Sequence, residues 1–298
     1  MKLKSWLRSL TPPLLYQALH VARMKIAPTA QYAIGKHVIS IPGDHNLPAF
    51  QGAHRLYDRF LPVLCSKLPT SGIIVDVGAN IGDTVAAVMQ VCSNPIIAIE
   101  GHRPYFDLLR ANLDRIDAER RVTALEALVG TGALAGTLVA SRGTATLDSR
   151  GSAQMRSLDD ILSGSMEDIV LLKVDTDGFD ADVICSGMAM IKVSQPLLFW
   201  EGGTSGARSF SGMYERISGE GYDKFWVFDN FGNLLLSECS TKELSDLDRY
   251  IESVHRYHCT TAIYYVDVLA SAPKMLARAR EAVACYRREY IESTRLLS

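Results

Sequence analysis

The chain lacks the sequence features that mark several large classes of protein. Its longest uncharged stretch, residues 127–141, has 15 residues and contains three glycines, so it falls short of the run of about 18 apolar residues that a transmembrane helix needs. An excess of positive charge is also missing, because 31 Lys and Arg residues stand against 33 Asp and Glu residues, which argues against a nucleic acid partner. The six cysteines form no CxxC pair and no metal-ligand spacing, and this favours a reducing, cytoplasmic setting.

The N-terminal region is basic and partly amphipathic. Residues 1–43 contain six Lys or Arg and no Asp or Glu, and Leu3, Trp6 and Leu10 follow the spacing of one helical face. We favour packing of this face on the rest of the protein or on a partner chain. Peripheral contact of residues 1–26 with the inner face of a membrane is the alternative. We divide the chain into an N-terminal extension (1–54), a main domain (55–268) and a C-terminal helix (269–298).

Beyond residue 69, apolar runs alternate with helical patterns, which is typical of a parallel sheet with crossover helices. The pattern therefore predicts an α/β fold with helices on both faces of the sheet. The region 130–157 is rich in Gly, Ser and Thr, and we expect a short hairpin or loop there. Strands are predicted at 73–77, 95–99, 122–128, 169–174, 196–200, 225–228 and 262–266, and helices at 84–92, from Pro104 onward, and at 157–162, 179–191 and 274–297.

A glycine-bearing loop, DVGANIGDT at 76–84, joins the first of these strands to a helix. Gly78 and Gly82 allow a sharp turn and the close approach of a ligand at the carboxyl end of the strand. The dinucleotide fingerprint GxGxxG fails, because the chain has Asn80 and Asp83 where the second and third glycines would stand. A carboxylate at Asp83 disfavours a pyrophosphate at the helix N-terminus. Together with Asp76 it favours a ligand that carries an ammonium and a sulfonium, as S-adenosylmethionine does.

Acidic residues also end later strands. Glu100 follows the second strand, where a carboxylate can accept both ribose hydroxyls of an adenosine; capping of the next helix is the alternative. Asp175 and Asp177 follow the fourth strand, although Asp177 could instead cap a helix, and Glu201 ends the fifth strand before two glycines. We expect Asp175 and Glu201 to face one pocket. They could orient or deprotonate an acceptor hydroxyl or share a divalent cation, and the spacing does not decide between these roles.

Five motifs in order make the chain resemble the FkbM family of S-adenosylmethionine-dependent methyltransferases over roughly residues 55–267. They are DVGANIGDT at 76–84, EGHRP at 100–104, LDDI at 158–161, LKVDTDGFD at 172–180 and FWE at 199–201. The resemblance implies a Rossmann-like, seven-stranded methyltransferase sheet that is mostly parallel with an antiparallel edge strand. It also implies methyl transfer to oxygen, typically a hydroxyl of a sugar, polysaccharide precursor or polyketide-like metabolite. A common family version has Glu where this chain has Asp177.

The resemblance makes the main domain the catalytic domain and implies roles for particular residues. It places the methionine part of the donor on the loop, with Asp83 beside it, the ribose on Glu100, and Asp175 and Asp177 at the reaction centre. Glu201 is a further catalytic candidate, and His54 and Tyr57 are candidates to close over the donor and bind the acceptor, with plain packing as the alternative. The loop residues so assigned are Asp76, Gly78, Asn80 and Gly82. No metal ligand set is predicted, a need for a divalent metal is left open, and the alternatives are a donor-binding relative without turnover and an NAD-dependent oxidoreductase.

Overall fold

A computed structural model of the chain describes residues 29–131, 135–141, 144–203, 210–256 and 263–292. The amphipathic stretch of residues 1–26, and with it the predicted membrane or packing contact, lies outside these residues. The strands are β1 (Thr29–Ile34), β2 (His37–Pro42), β3 (Ile73–Val77), β4 (Ile96–Glu100), β5 (Val122–Glu126), β6 (Ala135–Ser141), β7 (Thr144–Gln154), β8 (Ile169–Val174), β9 (Leu197–Gly202), β10 (Lys224–Asp229), β11 (Leu234–Cys239) and β12 (Val266–Ser271). The α-helices are α1 (Leu47–Ala53), α2 (Phe60–Cys65), α3 (Asp83–Val88), α4 (Arg103–Ile116), α5 (Leu158–Ile161), α6 (Asp180–Cys185), α7 (Met188–Ser194), α8 (Phe210–Gly219), α9 (Thr241–Arg256) and α10 (Leu276–Tyr286).

Within these residues a sheet of eight strands forms the centre of the fold, in the order β11-β10-β12-β9-β8-β3-β4-β5. The strands from β9 through β8, β3 and β4 to β5 are parallel to their neighbours. β12 runs antiparallel between β9 and β10, and β11 is an antiparallel edge strand. This mostly parallel sheet with helices on both faces confirms the predicted α/β class.

The central strands form where the sequence is almost entirely apolar. β8, with the sequence IVLLKV, is buried along almost its whole length, as expected for a parallel strand covered by helices on both faces. The predicted bounds of β3 and β8 are confirmed residue for residue. The strand predicted at 262–266 was wrong: the strand is Val266–Ser271, because this stretch enters the middle of the sheet while Tyr264 and Tyr265 stay in the preceding loop.

Several elements differ from the sequence expectations for local reasons. The predicted helix over 179–191 is two helices, α6 and α7, separated at Ser186 and Gly187. β11 was not predicted, because as an edge strand it alternates half-buried and exposed residues and contains Ser237 and Glu238. The Gly-rich region after residue 130 is a hairpin of β6 and β7, which confirms one of the two structures expected there.

The hydrophobic core lies on both faces of the sheet. One face packs against α6, α7 and α8 and holds Trp200 and Tyr214, and the other packs against α2, α4 and α10 and holds Phe106 and Tyr286. The β1–β2 hairpin packs on α3 and along α4 through residues such as Ile39, and Ser40 hydrogen-bonds Asn112 in α4. The described parts of the predicted N-terminal extension and C-terminal helix therefore both pack on the main domain. The predicted boundaries between these three parts stay predictions.

No helix in the described segments combines the length and apolar composition needed to cross a bilayer. The described cysteines are all free thiols: Cys65, Cys92, Cys185, Cys239 and Cys285.

Candidate functional site

The loop between β3 and α3 depends on its two glycines for reasons of close packing. Gly78 has φ +79°, and a Cβ there would lie 1.8 Å from the carbonyl oxygen of Asp175. Gly82 has φ +86°, and its Cβ would lie 2.8 Å from Cδ1 of Leu109. A side chain at either position would meet both a disfavoured backbone conformation and a steric clash. The sequence analysis expected these glycines to allow a sharp turn and the approach of a ligand; their positive φ values confirm the turn, and the structure adds that protein atoms also leave no room for a side chain.

Asn80 and Glu100 link the loop to the end of β4. The backbone N–H of Asn80, which has φ 49°, donates to Oε2 of Glu100 at 2.8 Å, and the N–H of His102 donates to Oε1 at 2.6 Å. Burial raises the pKa of Glu100, and these two hydrogen bonds act in the opposite direction. Since each carboxylate oxygen has two lone pairs, each can accept a further hydrogen bond from a ligand hydroxyl. Glu100 therefore both fixes the loop and remains able to bind a diol.

A small cleft lies beside Glu100 at the carboxyl ends of β3 and β4. Its walls are apolar in part, with Ile99, Tyr105, Val129 and Met155, and they also include the acids Asp175 and Asp177. A flat heterocycle with a ribose at one end has the matching chemistry, with the base against the apolar walls and the ribose hydroxyls at the carboxylate. The residues present thus fit an adenosine.

Asp76 is engaged with a lysine that sequence reasoning missed. Its carboxylate is buried, and Oδ1 lies 2.9 Å from Nζ of Lys173 in β8. The same ammonium lies 3.3 Å from Oδ2 of Asp175 and donates to the carbonyl oxygen of Gly78 at 3.3 Å. Burial acts to lower the pKa of Lys173, but Asp76 and Asp175 outweigh it and the net direction is upward.

This ion pair changes the role expected for Asp76. The carboxylate was predicted to meet the cationic donor, yet the structure turns it to Lys173, outside the lining of the two large cavities described below. A lysine inside the apolar run IVLLKV was the available signal, because a buried ammonium requires an anionic partner. Lys173 therefore joins the loop after β3 to the acidic end of β8.

The loop after β8 carries the next two predicted residues. Asp175 is half exposed, and Asp177 has φ 50°. Both residues line a cavity at this edge of the sheet, which is described below. Helix α6 begins after Phe179 with no side-chain cap, so Asp177 is not its N-cap. Asp180 instead stabilises this loop by hydrogen bonds that link it to β9. Its Oδ2 accepts from the Thr176 hydroxyl at 3.2 Å, and its Oδ1 accepts from the N–H of Glu201 at 3.3 Å.

Two adjoining cavities open at this edge of the sheet. The smaller of the two, which we call the middle cavity, has a volume of about 380 Å³ and is lined by Asp83, Asp177 and Tyr57 among others. The large cavity, of about 630 Å³, reaches Asp267 in β12. They share six lining residues: Asp58, Asp83, Thr84, Lys173, Asp175 and Glu201. Both volumes lie in the range of small-molecule sites.

Three acids of these cavities have raised pKa values. Desolvation by the cavity walls, together with Asp83, raises the pKa of Asp58, although its surface stays exposed, and desolvation together with Asp175 raises the pKa of the half-buried Glu201 and Asp267 well above the ordinary carboxyl range. Asp58 and Asp267 were missed from the sequence. Asp267 is an acid inside the apolar run VDVLAS, a signal that was lost because the strand was predicted several residues too early.

The segment before α2 brings one predicted aromatic residue to the site and not the other. Tyr57 lines the middle cavity and stacks on Phe50 with a centroid distance of 5.3 Å. His54 instead stacks on Phe231 at 4.0 Å and lines neither cavity. His54 was expected to close over a ligand. In the structure its ring packs against the turn after β10 instead, away from both cavities.

A histidine that was not assigned a role, His45, lies at the donor loop. Its side chain is buried, and Nδ1 accepts from the N–H of Leu47 at 3.2 Å. Burial lowers the pKa of His45, while Asp83, Asn80 and Asp44 act in the opposite direction. The histidine therefore lies beside two residues of the donor loop, Asn80 and Asp83.

The charge of the site favours a cation. Carboxylates outnumber the ammonium of Lys173 around the middle cavity, and that ammonium is already paired with Asp76. An ammonium and a sulfonium are stabilised in such surroundings, while a pyrophosphate is repelled. In the part of the chain that the structure describes, no three His, Cys, Asp or Glu side chains are arranged to hold a metal ion.

Comparison with known proteins agrees with this chemistry. A family model described as the methyltransferase FkbM domain matches residues 76–224, half of the 298-residue chain. No curated protein matches the chain.

Solved structures with similar folds include three methyltransferases. The FkbM methyltransferase of Methylobacillus flagellatus is 20% identical with a TM-score of 0.35, and the match covers 53% of this chain and 48% of that one. The precorrin-6y C5,15-methyltransferase of Geobacter metallireducens is 15% identical, with a TM-score of 0.38 and coverage of 71% and 85%. An O-methyltransferase from Bacillus cereus, solved in complex with SAH, is 13% identical, with a TM-score of 0.44 and coverage of 76% and 88%. On the family match, the chain belongs to the FkbM family of S-adenosylmethionine-dependent methyltransferases.

Proposed function

We propose that the protein transfers a methyl group from S-adenosylmethionine to a hydroxyl oxygen of a sugar, a glycan precursor or a similar small metabolite. The observation that carries the proposal is the large cavity, which is lined by Glu201 and Asp267 and adjoins the donor loop through shared walls. Carboxylates hydrogen-bond hydroxyl groups and can accept a proton from them. The acceptor in this proposal occupies the large cavity.

Donor binding follows the chemistry of the adjoining surfaces. Glu100 accepts the ribose hydroxyls beside the apolar walls of the small cleft, and Asp83 lies near the N-terminal end of α3 in the middle cavity. Asn80 and Gly78 present their backbone to both spaces, so the loop spans from the adenosine to the methionine part. When bound, S-adenosylmethionine supplies an electrophilic methyl carbon on a sulfonium.

The protein residues contribute alignment and proton removal. Holding two reacting atoms about 3 to 3.5 Å apart can supply roughly 7 to 11 kcal/mol of the barrier. A positioned base adds about a hundred- to ten-thousandfold, since a hydroxyl is a weak nucleophile while it keeps its proton. Asp175, Asp177 and Glu201 are the proposed catalytic carboxylates, because each lines the middle cavity where donor and acceptor would meet. Tyr57 closes the same space as a proposed acceptor contact.

The test is methyl transfer from isotope-labelled S-adenosylmethionine to a panel of neutral glycosides, polyols and glycan precursors, read by mass spectrometry. We expect the label on oxygen of a neutral polyhydroxylated acceptor. Label on nitrogen or carbon of other metabolites in the panel, and none on oxygen, would contradict the proposal.

The two alternative functions predict different results with the same purified protein. A relative that binds the donor without turnover shows S-adenosylhomocysteine binding by calorimetry and no labelled product with any acceptor. An NAD-dependent oxidoreductase is thermally stabilised by NAD rather than by S-adenosylhomocysteine. The carboxylates beyond the donor loop favour the methyltransferase, because binding a donor alone does not require them.

A further inference from the structure

Two acids face each other across the strands that form the floor of the large cavity. Glu201 in β9 and Asp267 in β12 are direct partners in the antiparallel ladder. Residues so paired have Cβ atoms about 4.5 to 5.5 Å apart and project from the same face of the sheet. The next pair on that face, Phe199 with Leu269, is buried and apolar. The two carboxyl groups therefore stand side by side between an apolar floor and the cavity.

Neither carboxyl group is neutralised by a cation in the described part of the chain. The ammonium that faces them from β8, that of Lys173, lies 2.9 Å from Asp76 and 3.3 Å from Asp175. The groups that act on the pair electrostatically from the surrounding elements are Asp58, Asp175, Asp177, Asp180, Lys173 and Tyr265. Acids dominate this set, so it disfavours a second negative charge on the pair.

Carboxyl groups on directly paired residues repel each other when both are ionised, so ionisation of one disfavours ionisation of the other. The pKa values of both Glu201 and Asp267 are raised, by burial first and then by Asp175. A pair with one proton presents one O–H donor and one carboxylate acceptor. That combination is complementary to two adjacent hydroxyl groups, of which one accepts a hydrogen bond and the other donates one.

We propose that Asp267 completes, with Glu201, a carboxyl pair that binds two neighbouring hydroxyls of an uncharged acceptor and removes the proton of the hydroxyl that is methylated. The proposal rests on the proposed function and narrows its substrate to a vicinal diol of a neutral sugar or polyol. Asp58 and Asp175 also line this cavity and disfavour phosphate- and carboxylate-bearing groups beside the pair, while Arg59 and Lys173, the cations of the lining, leave the acids in the majority.

The step balances in atoms and charge. The acceptor oxygen forms a bond to the methyl carbon, and the carbon–sulfur bond breaks with its electron pair remaining on sulfur. The hydroxyl proton passes to the ionised member of the pair, while the other member keeps its proton and donates to the neighbouring hydroxyl. The positive charge of the donor and the negative charge of the pair are lost together, and one proton leaves for solvent before the next cycle.

The first test needs no acceptor. The full chain, saturated with S-adenosylhomocysteine, is titrated from pH 5 to 9 while the infrared C=O band of protonated carboxyl groups is recorded. We expect Asp267→Asn and Glu201→Gln each to remove the same titrating component, and the double variant to remove no more than either single one. Asp223→Asn, a change at a 69% exposed side chain before β10, serves as the control and leaves the component intact. Two separate components that disappear additively would show independent acids and would overturn the pair.

Calorimetry with S-adenosylhomocysteine checks that each variant still folds and binds the ligand, so that a lost infrared component can be assigned to the replaced carboxyl group. Asn and Gln preserve the size of the side chains, so both variants should bind this ligand with wild-type affinity. If one of them does not, Glu201→Asp and Asp267→Glu, which retain a carboxyl group, should keep the shared component, and its loss in both would count against the pair.

The second test addresses the diol. Labelled methyl transfer is measured to methyl mannoside and methyl glucoside, to the counterparts that lack the hydroxyl at position 2, 3 or 4, and to glucose 6-phosphate. We expect transfer to at least one intact glycoside, a loss of at least tenfold when one hydroxyl adjacent to the methylated one is removed, and a fall in kcat of about a hundredfold in Asp267→Asn. Equal rates with every counterpart that lacks an adjacent hydroxyl would overturn the diol and leave the methyltransferase proposal standing. If no glycoside is methylated, the sugar acceptor of the proposed function and the diol assignment both fail, whereas the infrared result still decides whether the pair exists.

Discussion

Replacing Lys173 by Met removes the ammonium that compensates Asp76 in the interior of the protein. The side chains are 6% and 3% exposed, respectively, and their charged atoms are 2.9 Å apart. Breaking a buried pair by deleting one partner costs about 3–5 kcal/mol, because the remaining charge is left uncompensated. The contact of Lys173 with the carbonyl oxygen of Gly78 is lost as well. We therefore expect a loss of about 3–5 kcal/mol in the free energy of unfolding, a large part of the total of an ordinary domain.

Urea unfolding at pH 7 and low temperature measures this loss, and a second substitution identifies its cause. Asp76→Asn in the Lys173→Met background removes the stranded charge, so it should restore most of the lost stability. A matched control is Lys242→Met, which breaks an exposed pair with Asp246 in α9 and should cost about 0.5 kcal/mol or less.

The pH dependence of the single variant gives an independent check. Burial already raises the pKa of Asp76 against the opposing effect of Lys173, and without the ammonium the pKa rises further, so the protonated form stabilises the fold of the variant more than that of wild type. Stability of Lys173→Met should then be higher at pH 5 than at pH 7 relative to wild type. A loss below about 1 kcal/mol at pH 7, or no recovery with Asp76→Asn, would refute the reasoning that this pair is a compensated buried charge.

Three further predictions concern the loops at the same edge of the sheet. Gly78→Ala should abolish S-adenosylhomocysteine binding measured by calorimetry, because its Cβ would lie 1.8 Å from a backbone oxygen at φ +79°, while Gly164→Ala, with no atom within 4 Å, should bind normally. Asp175→Asn should keep donor binding and lose turnover; single-turnover rates equal to wild type would place Asp175 outside the chemistry. Burial, and then Asp175, raises the pKa of Asp180 to about 7. The contribution of protonated Asp180 to the free energy of unfolding therefore declines as the pH rises from about 4 to about 7. Asp180→Asn should flatten this decline, measured as urea midpoints across the same pH range.

The parts of the fold that could be predicted are those in which local pattern and tertiary environment agree. β3 and β8 are buried apolar runs that each contain one charged residue, and the loop between β3 and α3 has a glycine at two of its three positions of positive φ, with Asn80 at the third. β11 was missed because its alternating edge-strand pattern contains Ser237 and Glu238, and β12 was displaced because its limits depend on partners far away in sequence. β12 is defined by the register of Val266–Ser271 between two other strands, which no local signal supplies.

The site shows the same division. Glu100, Asp175 and Glu201 were predicted because each ends a strand at the same edge of the sheet, and the structure places them around adjoining cavities. The partners of charged groups were not predictable in this way. Asp76 contacts Lys173, and Asp267 faces Glu201, only because neighbouring strands align in one register.

Calorimetric titration with S-adenosylmethionine, S-adenosylhomocysteine and NAD tests the central claim most directly, namely that the carboxyl edge of the sheet binds a sulfonium nucleoside through Glu100. The expected result is binding of the first two ligands, no binding of NAD, and a loss of at least tenfold in affinity in Glu100→Gln. NAD binding in competition with S-adenosylhomocysteine, or unchanged affinity in Glu100→Gln, would contradict the account.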